Sequence, residues 1–124
     1  GPCDLAFTAM EAAYTHGDAW VDQQLAYLEG NVETVNTFVA EHMPGVQVTK
    51  HEGTFLMWLD MTCFGKSSRE LTSILAKEYG LALGDGSHYG TQAEGFMRLN
   101  IGCTRDTLIK GLEQMAVMYD KYVK

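Results

Sequence analysis

The chain has 124 residues, 46% of them apolar, 20% charged and 10% aromatic, enough apolar surface to offset the ordering entropy of one domain, which excludes a disordered tail or low-complexity linker. Nine Lys and Arg against sixteen Asp and Glu leave a formal net charge of −7, a field that repels phosphate backbones and anionic membranes and argues against nucleic acid as a partner. No unbroken apolar run is longer than Phe55 to Leu59, far short of the ~20 residues that span a bilayer, and no signal-peptide pattern is present, so a soluble, cytoplasmic protein without a membrane partner is expected.

Gly1-Pro2 reads as the remnant of a cleaved purification tag and is set aside. From Asp4 to about Tyr14, Leu5, Ala6, Ala9, Met10 and Ala13 recur at three-and-four spacing, which predicts a short amphipathic helix that stops at Gly17. Asp18 is placed to cap a second helix, along which Val21, Leu25, Leu28, Val32, Val35 and Val39 recur until Pro44 forbids continuation. At 1.5 Å per residue that helix is about 35 Å long, roughly twice the usual length, so it should project past its own core or bridge to another body.

After Pro44-Gly45 the apolar period changes from 3.6 to 2. Val46 and Val48 suggest a short strand; Thr54 to Asp60 form a longer one, with Phe55, Met57 and Leu59 on one face and Leu56 and Trp58 on the other. Ser67 and Glu70 make a capping box for a helix carrying Leu71, Ile74, Leu75 and Tyr79, closed by Gly80. Leu81-Ala82-Leu83 is a predicted strand, followed by the loop Gly84 to Gly90. Phe96 to Ile101 is another strand, with Met97, Leu99 and Ile101 opposed to Phe96, Arg98 and Asn100. Thr104 caps a last helix striped by Leu108, Leu112, Met115, Tyr119 and Tyr122. The expected architecture is a two-layer α+β domain with helices on one face of a small, mostly antiparallel sheet. On the other face Leu56, Trp58 and Phe96 lie together, an apolar patch of the kind that a second domain or subunit covers.

Few residues suggest chemistry. Cys3, Cys63 and Cys103 are an odd, scattered set without CxxC, and His16, His42, His51 and His88 form no HxH or HExxH, so neither a disulfide framework nor a metal site is expected. The loop Gly84-Asp85-Gly86-Ser87-His88-Tyr89-Gly90 is glycine-rich but matches no phosphate-binding spacing; Ser87, His88 and Tyr89 are candidates for lining a site. Arg98 reads either as a solvent-facing sheet arginine or as a planar fork of donors that grips a carboxylate, with Asn100 on the same face to orient it or add a donor. No complete catalytic constellation is visible.

The blocks Ala13-Tyr14-Thr15-His16-Gly17-Asp18-Ala19-Trp20, Tyr27-Leu28-Glu29-Gly30-Asn31, Glu52-Gly53-Thr54-Phe55-Leu56-Met57-Trp58-Leu59-Asp60, Gly86-Ser87-His88-Tyr89-Gly90 and Gly95-Phe96-Met97-Arg98-Leu99-Asn100, taken in order, resemble the C-terminal small domain of fold-type I pyridoxal-phosphate enzymes of the class I/II aminotransferase family. The nearest subgroup is the MalY/PatB type of carbon-sulfur β-lyase, of the cystathionine β-lyase kind. The resemblance implies that residues 3–17 end a large-domain helix or linker and that 18–124 form the small domain, joined to a cofactor domain by the long helix. It implies that Arg98 binds the substrate α-carboxylate, and that the parent is a homodimer using pyridoxal phosphate to act on amino acids, as a β-lyase or an aminotransferase. Gly53 and Phe55 depart from the family's usual Ala and Tyr, which bears on local packing only. Lys50, Lys66, Lys77, Lys110, Lys121 and Lys124 all lack the serine-rich context of the family's cofactor lysine, so this chain is expected to bind no cofactor itself and to be inactive alone. The alternative is a free-standing module that senses an amino acid through Arg98 without chemistry.

Overall fold

The computed structural model describes residues 3–124; Gly1 and Pro2, the expected tag remnant, lie outside the described residues. Helix α1 (Asp4–His16) runs into α2 (Asp18–His42). α1 ends at Gly17 as expected, but the break is a single residue and the chain direction is kept. Gly17 stays right-handed at φ −88° and ψ −6°, its N–H donates to the Ala13 carbonyl at 2.8 Å, and its own carbonyl accepts from Val21 at 3.0 Å. Asp18 is accordingly the first residue of α2 and makes no side-chain cap. Because Gly17 stays right-handed, the apolar positions Phe7, Met10, Tyr14, Val21, Leu25 and Leu28 of the two helices stay in phase across it. Pro44 ends α2 where expected.

Only the second half of that seam is internal. Leu28, Val35 and Val39 are buried, whereas α1 buries no residue, and Tyr14 and Trp20 are 84% and 66% exposed. The helix therefore projects past its own core.

Strands β1 (Gln47–Val48), β2 (Leu56–Asp60), β3 (Gly84–Asp85) and β4 (Phe96–Asn100) form one sheet in the order β1-β2-β4-β3, every neighbouring pair antiparallel. The strand expected at Leu81-Ala82-Leu83 is replaced by a two-residue strand, Gly84–Asp85, immediately after it. Gly80 ends α3 (Ser68–Tyr79) in the left-handed conformation and the Leu81 N–H folds back onto the Leu75 carbonyl, so Leu81 and Leu83 pack beside the core and only Gly84 and Asp85 reach β4. The capping box is complete: the Ser67 hydroxyl accepts from Glu70 N–H, and the Glu70 carboxylate accepts from Ser67 N–H at 2.9 Å. Helix α4 (Arg105–Tyr122) is capped by Thr104 as expected.

Met57, Leu59, Met97 and Ile101 are fully buried against Val35 and Val39 of α2, Leu71 and Leu75 of α3, and Leu112, Met115 and Met118 of α4. Each such side chain contributes roughly 1.5–3 kcal/mol of burial. Helices α2, α3 and α4 thus cover one face of the sheet, and the α+β two-layer expectation holds.

Two buried polar residues, neither assigned a long-range role by the sequence, tie the ends of β4. Asn31 on α2 donates to the carbonyls of Ile101 and Cys103 at 2.9 and 3.1 Å and accepts from Arg105 Nε at 2.9 Å. Arg105 also reaches the Tyr27 carbonyl, and its N–H donates to the Tyr27 hydroxyl. At the other end the Ser68 hydroxyl accepts from Gly95 N–H at 2.7 Å, while Ser68 N–H donates to the Glu94 carboxylate. Ser67 is the cap; Ser68 is the tie. Replacing Asn31 by Ala strands two carbonyls and a guanidinium N–H in a partly dry junction and is expected to destabilise the domain by about 3 kcal/mol; urea unfolding of the two proteins measures it.

Candidate carboxylate-binding site

The side-chain alternation of β4 sends Met97 inward and Arg98 outward. In register, Arg98 lies opposite Trp58 on β2 and opposite Gly84 on β3. A Cβ at position 84 would stand 3.1 Å from the Arg98 Cβ and 3.2 Å from its Nε, so a glycine there leaves the arginine room to lie along the sheet. Trp58 stacks on Phe96 with centroids 5.9 Å apart and 22° between planes, and meets the Tyr89 ring edge-on at 5.5 Å and 87°. The Arg98 guanidinium carbon sits 5.3 Å from the Tyr89 centroid. Arg98 is half-buried, and among the described residues no carboxylate lies within ion-pair distance of it.

The loop that delivers Tyr89 is a short 3-10 turn, Gly86–Tyr89, following β3 directly. Gly86 is buried with the carbonyls of Phe96 and Ala93 against its Cα, so any side chain at this position collides with backbone. The Asp85 carboxylate caps the turn, accepting from Ser87 N–H at 2.8 Å and from the Ser87 hydroxyl at 2.7 Å. Those bonds, the hydroxyl's foremost, hold the Asp85 carboxyl below its ordinary value, helped by His88 and Arg69.

Of the sequence candidates, Arg98 and Tyr89 are brought together. Ser87 is on the same turn, with its hydroxyl proton committed to Asp85. His88 is exposed. Asn100 shares the strand face, but its side-chain oxygen accepts from Gly102 N–H at 2.8 Å where the chain leaves β4, and its amide stays a donor. Trp58 and Phe96, read as a patch, are the wall of the site. Two hollows lie elsewhere: one of about 470 Å³ between α2 and His51 to Thr54, and an apolar cleft of about 320 Å³ between Leu81, Leu83, Leu99 and α4.

The lysines do not suit a cofactor anchor. None of the six is buried; Lys50, Lys121 and Lys124 pair with Glu52, Glu78 and Asp120, and Lys66 lies over the Tyr122 ring. Among the described residues, no three His, Cys, Asp or Glu side chains gather as around a metal ion, and no helix is long and apolar enough to cross a membrane.

No protein-family model matches the chain. Cystathionine beta-lyase PatB of Bacillus subtilis is 39% identical over 111 residues, covering 90% of this chain and 29% of that protein. Protein MalY of Escherichia coli is 35% identical over 115 residues, with 90% and 28% covered. A pyridoxal-phosphate-bound crystal structure from Clostridium difficile 630, assigned as an aminotransferase, superposes with a TM-score of 0.89 at 34% identity over 94% of this chain and 30% of that one. The chain therefore spans less than a third of the length of the curated relatives it matches. Fold and kinship together make it the counterpart of the C-terminal small domain of fold-type I, class I/II pyridoxal-phosphate enzymes. Within that class its curated relatives include proteins of the MalY/PatB, cystathionine β-lyase type, and a shorter match, 35% identical over 71 residues, is to a Bacillus subtilis protein assigned as an N-acetyl-LL-diaminopimelate aminotransferase.

The depressed Asp85 carboxyl has a consequence. A carboxylate whose folded value lies below its unfolded one stabilises the fold fully above the unfolded range, near pH ~4, and the contribution is lost as pH falls through the folded value. Ser87→Ala is expected to return Asp85 towards its ordinary value and to narrow the stability gap to the parent at acid pH; carboxyl-carbon NMR titration and acid unfolding read both effects.

Proposed function

We propose that this chain is the small domain of a pyridoxal-phosphate-dependent carbon-sulfur β-lyase, and that Arg98 receives the α-carboxylate of the amino-acid substrate. The observation that carries the reading is a half-buried guanidinium without an acidic partner on an otherwise aromatic sheet face. A planar fork of donors held in such a place matches a carboxylate with two parallel hydrogen bonds. Kinship with PatB and MalY supports the lyase chemistry, in which an amino acid bearing a β-thioether and one water yield a thiol, pyruvate and ammonia.

This chain binds and orients one end of the substrate and supplies no catalytic group. None of its lysines fits the cofactor, so the rest of the parent holds it, and the chain alone is inactive. Residues 3–17 and the exposed first half of α2 carry the seam of Phe7, Met10, Tyr14, Val21 and Leu25 that packs on the cofactor domain, and residues 18–124 are the small domain proper. The parent is a cytoplasmic homodimer. A second reading, amino-group transfer to a keto acid, is favoured by the likeness to the Clostridium difficile structure.

Assay of the full-length protein separates the two readings: pyruvate from L-cystathionine supports the lyase, and a new amino acid from an amino acid plus a keto acid supports the transferase. Arg98→Ala in that protein removes two charge-assisted hydrogen bonds and is expected to lower kcat/KM about 100-fold. A loss below threefold removes the carboxylate role, and a free-standing amino-acid sensor is supported if the gene starts immediately before this segment.

A further inference from the structure

An arginine side chain has four rotatable bonds and five donors, and the ordered geometry at Arg98 needs a cause, because among the described residues it accepts no help from a carboxylate. One side of its stem lies along the bare backbone of Gly84. Trp58 is its cross-strand neighbour, and the Tyr89 ring lies 5.3 Å from the guanidinium carbon. Tyr89 is 57% exposed, so no apolar burial accounts for its place. The turn does account for it: the Asp85 carboxylate and buried Gly86 fix the turn, and the ring meets Trp58, itself stacked on Phe96, at nearly a right angle. The row Phe96, Trp58, Tyr89 and Arg98 is continuous across one sheet face.

We propose that Tyr89 is the positioning residue of this site: its ring face holds the Arg98 guanidinium so that the outer donors point away from the sheet to meet an arriving carboxylate. The proposal rests on the carboxylate reading of Arg98 and adds to it the element that makes the arginine selective. The π face attracts the cation and leaves the donors free, whereas an acidic neighbour would neutralise the charge and occupy the donors. Holding the fork ready removes ordering entropy that binding would otherwise have to overcome. The effect strengthens as a ligand displaces water from the site. The Tyr89 hydroxyl has no part in it.

The test uses the full-length, cofactor-loaded protein. The dissociation constants of L-alanine and of L-alaninamide, which keeps the amine and lacks the carboxylate charge, are read from the absorbance of the bound cofactor. The parent protein is expected to prefer L-alanine, and Arg98→Ala to erase the preference. Tyr89→Leu and Tyr89→Gln, two non-aromatic variants of a surface position, are expected to weaken L-alanine about fivefold and to leave L-alaninamide within twofold. Tyr89→Phe should restore the preference. On the Arg98→Ala background, Tyr89→Leu should change nothing further. If Arg98→Ala erases the preference while the Tyr89 variants leave it intact, or weaken both ligands alike, the positioning role is overturned and the carboxylate site stands. If Arg98→Ala leaves the preference in place, both fall.

Discussion

Five consecutive pairs between β2 and β4, from Leu56 opposite Asn100 to Asp60 opposite Phe96, set which side of the sheet every other group must occupy. Side chains alternate with period two, so the register that buries Met57, Leu59 and Met97 also puts Trp58 beside Arg98 on the opposite face. A slip of one residue would drive the guanidinium into the space of Leu71 and Leu75 and expel the methionines. An unpaired charge in such a core costs far more than a domain of this size has in net stability. The apolar core and the charged site are therefore two consequences of one pairing.

Both ends of β4 are fixed by hydrogen bonds that the ladder itself does not make. Ser68 holds Gly95 at the entry, and Asn31 holds the Ile101 and Cys103 carbonyls at the exit. A strand tied at both ends cannot drift along its neighbour, so Arg98 sits on a more rigid support than a loop would provide. The same ties recruit α3 and α2, which makes the helical layer a brace for the position of one guanidinium on the other face.

The features that were legible in the sequence are those whose cause is local. Ser67 and Glu70 are three residues apart, Pro44 acts on its own turn, and the alternation of Met97 with Arg98 lies within one strand. What was not legible depends on partners far along the chain. Asp18 is a capping residue by composition, yet Gly17 stays right-handed and takes the cap position, so Asp18 is the first residue of α2 and caps nothing. Leu81 to Leu83 has strand composition, yet only Gly84 and Asp85 come near enough to β4 to pair. Asn31 did leave a trace: it occupies a core-facing position between Leu28 and Val35, where a polar residue demands buried partners. Its partners lie 70 and 72 residues away, and no spacing rule reaches that far. Arg98 was picked out by strand alternation, but the contact with Tyr89 needed the fold.

Two unsatisfied surfaces remain, and their arrangement bears on the proposed function. One is the helical seam from Phe7 to Leu25, an exposed apolar stripe of the kind that another body covers. The other is the aromatic face around Arg98. A single covering body that packs on the seam has its position fixed relative to the sheet, because α2 is itself anchored to β4 through Asn31. Under the proposed function this is how a lobe without a cofactor lysine takes part in chemistry: the helix that joins it to the cofactor domain also sets where its carboxylate fork stands. Substrate orientation then depends on the Asn31 and Arg105 junction as well as on Arg98, although neither junction residue faces the site.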